Sequence, residues 1–96
     1  MKTTFDPDAR REYFDAIRYY SDHAGPDVAA AFISEFERVL AAVRENPAAG
    51  APFRGRRRFL FRRFPYSLIY EPEPRSVHVL AVAHQSRRPG YWSRRK

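Results

Sequence analysis

At 96 residues and without a single cysteine, the chain has room for one hydrophobic core and excludes a disulfide framework or a thiolate-held metal. No cofactor or metal is expected, and no apolar run approaches the ~20 residues of a membrane-spanning helix, so one domain over residues 1–96, soluble and cytoplasmic, is the expectation. The net charge of +7 is unevenly placed: residues 1–50 hold 6 basic and 9 acidic side chains, a net −3, and residues 51–96 hold 12 basic and 2 acidic ones, a net +10. Arginine supplies 16 of the 18 positive charges. Its planar fork suits bidentate contact with phosphate or carboxylate, which points to a polyanionic or strongly acidic partner rather than to a membrane.

In chain order, Lys2 to Phe5 predicts a short strand. Asp6-Pro7 then starts a helix, with a carboxylate N-cap and a proline at the first helical position. Ala9, Tyr13, Ala16, Ile17, Tyr20 and Ala24 recur at three- and four-residue spacing and mark its buried edge. Gly25-Pro26 ends this helix, the glycine as a left-handed cap, and opens a second one. In that helix Val28, Phe32, Phe36, Val39, Leu40 and Val43 form the apolar stripe, with Glu35, Glu37, Arg38, Arg44 and Glu45 placed on the surface. Asn46-Pro47 stops it, and the short joint between the two makes an antiparallel helical hairpin.

Residues 47–58 contain two prolines, two glycines and four arginines, a composition that predicts a loop with a basic end. Strands are predicted at 59–64, 66–70 and 77–83, with a break at Pro65 and a turn at 72–75, giving a three-stranded antiparallel meander. The last strand is apolar at almost every position, as suits burial on both faces. One face would take the helical hairpin. The other needs a cover, from a partner chain or from Tyr91 and Trp92 folding back.

The order β-α-α-β-β-β, with Tyr19-Tyr20 late in the first helix, Phe32 and Phe36 in the second, the phrase from Arg62 to Tyr70, and Val79 to His84 followed by Arg87 to Trp92, resembles the ParE/RelE superfamily of bacterial toxins. That resemblance implies an α+β fold, a helical hairpin on a mainly antiparallel sheet with a short C-terminal segment. It also implies the toxin of a type II toxin-antitoxin pair, known too as a plasmid stabilisation protein, neutralised in a hetero-oligomer by a cognate antitoxin expected to be acidic. Two modes of action come with the resemblance: binding to DNA gyrase in the ParE-like branch, and cleavage of messenger RNA on the ribosome, without a metal, in the RelE-like branch.

Metal-free cleavage of RNA needs a proton acceptor for the 2′-hydroxyl, a proton donor for the leaving oxygen, and cations for the developing charge. Arginine supplies only the cations. His84 and Tyr91, with Arg87 and Arg63, are the candidate catalytic set; Arg56, Arg57, Arg58, Arg62, Arg63, His84, Arg87, Arg88, Tyr91 and Trp92 are the candidate surface for target or antitoxin. The RelE-like branch carries an arginine where this chain has Ser67 and tends to carry another where it has Gln85. Those gaps, with Phe64-Pro65-Tyr66 and the histidine closing the last strand, favour a ParE-like binding toxin over an enzyme. The alternatives are the RelE-like ribonuclease and a non-toxic interaction module of the same fold.

Overall fold

A computed structural model describes residues 1–96. Its elements are β1 (Lys2–Phe5), α1 (Pro7–Ala24), α2 (Pro26–Glu45), β2 (Ala51–Phe53), β3 (Arg56–Leu60), β4 (Tyr66–Glu73) and β5 (Ser76–His84). The five strands form one sheet in the order β1-β5-β4-β3-β2. β2 to β5 run as an antiparallel meander, and β1 pairs in parallel with the first half of β5. The fold is therefore α+β, with one helical layer on one sheet. Neither helix is long and apolar enough to cross a membrane.

The helices form where their ends are defined. Asp6 accepts from the backbone N–H of Asp8 at 2.8 Å and caps α1, with Pro7 at the first helical position. Gly25 both ends α1 and precedes α2, at φ 94° and ψ 169°. This is the extended mirror region that only glycine tolerates, not the left-handed helical cap that the sequence suggests. The facing stripes meet as predicted: Phe32, Phe36, Val39, Leu40 and Val43 are buried, and Tyr13, Ile17 and Tyr20 pack against them. Ala24 stays exposed. On the sheet side this core takes Leu68, Tyr70, Val77, Val79 and Val82.

The predicted loop at 47–58 holds strand structure instead. Ala51–Phe53 pairs with Arg56–Arg58 through a two-residue turn whose residues, Arg54 and Gly55, have φ of 49° and 80°. Both positive values fit the hairpin turn whose twist matches its strands. Pro52 is tolerated because β2 is an edge strand. β3 in turn ends at Leu60, earlier than the predicted Phe64, since Phe61 and Phe64 turn into the helical core.

Glu35 is the main correction on α2. Its carboxylate is buried rather than superficial, accepting hydrogen bonds from the backbone N–H groups of Arg62 and Arg63 and from the Arg38 guanidinium. It thereby satisfies the backbone of the β3–β4 connection where no strand partner exists.

A bulge in β5 organises the second sheet face. Ile69 pairs with Ala81 but Tyr70 pairs with Val79, so Leu80 is an extra residue. Leu80 and Ala81 both join the cluster on the face away from the helices, whereas Val79 and Val82 remain in the helical core. That second face is covered from within the chain: Trp92, only 2% exposed, packs with Ile69, Leu80 and Ala81, flanked by Phe53 and Tyr91.

Candidate functional site

The side-chain alternation of a strand divides the arginines of β3. Arg58 and Leu60 line a cavity on the second sheet face, while Arg57 and Phe59 lie on the helical side. The cavity holds about 360 Å³, floored by Ser67, Ile69 and Ala83 and walled by Phe53, Arg58, His84, Gln85 and the segment from Arg87 to Trp92. No acidic residue lines it. Three guanidiniums around an apolar floor make it a receptor for an anionic group that carries apolar surface.

Of the predicted residues, Arg58, His84, Arg87, Arg88, Tyr91 and Trp92 meet at this cavity. The others do not. Arg56 faces Glu71 at 3.5 Å, Arg57 donates to the carbonyl of Gly50 at 2.6 Å, and Arg62 and Arg63 sit beside Glu35 and Arg38 on the α2 side. The ten candidates thus form two basic surfaces separated by the sheet, not one.

The C-terminal segment is fixed by a residue that the sequence offered no reason to select. Glu12 of α1 accepts from the hydroxyl of Tyr91 at 2.6 Å, from both terminal nitrogens of Arg95 at 2.8 and 3.1 Å, and from the backbone N–H of Val82 at 3.1 Å. Arg95 also donates to the carbonyl of Leu80, the bulge residue, at 3.1 Å. Here β5 has run past the end of β1, so side chains satisfy the exposed strand edge and deny it to another strand. The Tyr91 ring is held between the guanidiniums of Arg87 and Arg95, at 3.9 and 5.0 Å from its centroid. Phe53 is likewise covered by Arg58 at 4.1 Å.

These contacts bear on proton chemistry. Burial, and then the Glu12 carboxylate that accepts its hydrogen bond, pushes the Tyr91 hydroxyl well above its ordinary range. The group is a committed donor to Glu12. His84 accepts at Nδ1 from the backbone N–H of Ser86 at 3.0 Å, so the neutral ring carries its proton on Nε2. In that tautomer Nε2 is a donor and not an acceptor. Ser67 is buried at the floor and brings no charge.

A family profile described as "ParE toxin of type II toxin-antitoxin system, parDE" matches residues 4–89. The chain belongs to this ParE toxin family. The matched range takes in both helices, the whole meander and the cavity wall as far as Pro89. Among solved structures, a chain described as "Chromosomal ParDE TA system from P. aeruginosa" is similar in fold, with a TM-score of 0.74 at 16% identity over 88% of this chain and 95% of that one. No curated protein sequence matches significantly. ParE membership makes this chain the toxin of a type II pair and gives it an antitoxin as partner.

Proposed function

We propose that this ParE-family toxin acts by binding DNA gyrase, without catalysing a reaction, and that the cavity between β3, the end of β5 and the C-terminal segment belongs to the contact surface. The observation that carries this reading is the want of a free proton acceptor: the Tyr91 hydroxyl is spent on Glu12, and His84 accepts at Nδ1 from Ser86, which leaves it only a donor at Nε2. A metal-free ribonuclease needs such groups free to exchange protons with the reacting atoms. Arg58, Arg87 and Arg88 are fitted instead to hold carboxylates or phosphates of a macromolecule. The same charges favour an acidic antitoxin.

Purified toxin is expected to block supercoiling of relaxed plasmid by gyrase and to lose that effect when the antitoxin is added. Undiminished supercoiling at saturating toxin would remove the proposal. A second reading, cleavage of messenger RNA on the ribosome, draws on the same three arginines as cations for the cleaved phosphate. It predicts broken transcripts after induction, and loss of that cleavage in a His84→Ala variant.

A further inference from the structure

On the other side of His84 lies a second cleft of opposite chemistry. It holds about 440 Å³ and is formed by Asp15, Tyr19 and Tyr20 of α1, Tyr66 of β4, and His84 and Ser86. In a chain of net charge +7 it is lined by no arginine or lysine. Its walls are tyrosine rings set at steep angles to one another: Tyr19 against Tyr20 at 81°, and Tyr20 against Tyr66 at 64°. An aromatic lining of this kind, with a carboxylate at its rim, suits a cation.

Three observations show that the cleft is not already satisfied within the chain. Tyr70 and Tyr91 both use their hydroxyls, on Gly50 and Pro47 and on Glu12 respectively. Tyr66 does not: it lines the cleft, and its hydroxyl makes no hydrogen bond within the chain. That hydroxyl is available to a ligand as donor or acceptor. Asp15 is exposed and joins no ion pair, whereas Asp8 and Glu12, two turns and one turn earlier, are engaged by Arg11 and Arg95. The Tyr66 hydroxyl is also pushed up to about 12, by burial first and then by Tyr20, Tyr19 and Glu12. Those neighbours disfavour an added negative charge and welcome a positive one.

We propose that the Tyr19–Tyr20–Tyr66 cleft, with Asp15 at its rim, receives an arginine or lysine side chain of the antitoxin. The antitoxin is the partner because His84 is a common wall of this cleft and the arginine-lined cavity. A segment crossing that wall meets a cationic receptor on one side and an anionic, aromatic one on the other. Two receptors of opposite sign fix both register and direction of the segment and reject partners that lack the matching pair. The inference rests on the antitoxin partnership, not on gyrase as the target.

The test is a binding series on the toxin–antitoxin complex made from full-length chains. Asp15→Arg, at an exposed position, is expected to weaken the complex about tenfold, and Tyr66→Phe, which keeps the ring, several-fold. Replacing each antitoxin arginine and lysine by glutamine in turn should reveal one residue whose loss adds nothing further in the Asp15→Arg background. In the free toxin, arginine amide should shift the backbone NMR signals of Asp15, Tyr19 and Tyr66 saturably, and glutamate should not. Affinities within twofold of wild type for both variants would overturn the proposal. So would coupling of Asp15 to an antitoxin carboxylate, or occupation of the cleft by a second copy of this chain, seen as concentration-dependent dimerisation abolished by Asp15→Arg. Gyrase supercoiling is read separately, so failure of the target reading leaves this result interpretable.

Discussion

Two carboxylates, Glu35 and Glu12, hold the arginine-bearing segments in place, and each does so by accepting several hydrogen bonds at once. Burial alone would raise the Glu35 carboxyl, but the backbone donors of Arg62 and Arg63 and the Arg38 guanidinium outweigh it and hold it below its ordinary value of 4.5. A carboxylate with a lowered folded value contributes stability that is present above pH 4.5 and is lost as the pH falls through the folded value. Glu35→Gln is expected to cost about 1–3 kcal/mol at neutral pH, read as a lower melting temperature, and to flatten the acid limb of the stability curve below pH 4.5. An unchanged acid limb would contradict it. Tyr91→Phe tests the other clasp. It removes one hydrogen bond, worth roughly 1 kcal/mol, and keeps the ring between Arg87 and Arg95, so growth arrest on induction should persist. Loss of toxicity without loss of folding would return Tyr91 to the list of catalytic candidates.

At the scale of elements, the connection from α2 to the sheet depends on one glycine. The Tyr70 hydroxyl accepts from the N–H of Gly50 at 2.9 Å and donates to the carbonyl of Pro47 at 2.8 Å, pinning the chain before β2. A Cβ at position 50 would lie 2.7 Å from that hydroxyl oxygen and 3.0 Å from the carbonyl oxygen of Arg58. Gly50→Ala must therefore displace a fully buried tyrosine or part β2 from β3, at a cost of about 2 kcal/mol or more, measurable by denaturant unfolding. The helices were legible because their period of 3.6 repeats over many residues and their ends carry proline, glycine or a capping aspartate, and the strands predicted at 66–70 and 77–83 because they are apolar, β-branched and aromatic runs. Both strands reach further than predicted, since Pro72 and Glu73 pair with Val77 and Ser76 where a turn was expected. The β2–β3 hairpin was not legible. Its turn is Arg54-Gly55, with an arginine where asparagine or aspartate gives the usual signal, and its edge strand contains a proline. Glu12 and Glu35 were illegible for a different reason. Apart from Arg38, three residues beyond Glu35, their partners lie 27 to 83 residues away along the chain, and a helix pattern places any glutamate outside the core by default.

Across the whole molecule, the sequence grouped ten residues into one basic surface, and the sheet splits them because strand alternation sends Arg57 and Arg58 to opposite faces. The apolar half of the second face also has an internal cover, Trp92 over Ile69, Leu80 and Ala81. Trp92→Ala is expected to cost about 3–5 kcal/mol, a large share of a small domain's total, and to produce binding of an apolar dye at temperatures where wild type shows none. With that face closed, the large apolar side chains left exposed, Met1, Phe14, Tyr19, Ile33 and Leu60, are dispersed over the N-terminus, α1, α2 and β3. Arg62, Arg63, Arg87 and Arg88, in contrast, are exposed and form no ion pair within the chain. For an acidic antitoxin, as proposed above, long-range attraction would govern how it arrives, while short-range packing and buried hydrogen bonds would govern how long it stays. The Debye length shrinks from about 10 Å at 0.1 M salt to about 3 Å at 1 M, which screens the first effect and spares the second. Association of toxin and antitoxin should slow by more than about tenfold across that range, with dissociation changing by no more than about threefold. Arg87→Glu with Arg88→Glu should reproduce the slowing at low salt. An association rate indifferent to both salt and charge reversal would mean that the net +10 of residues 51–96 plays no part in recognition.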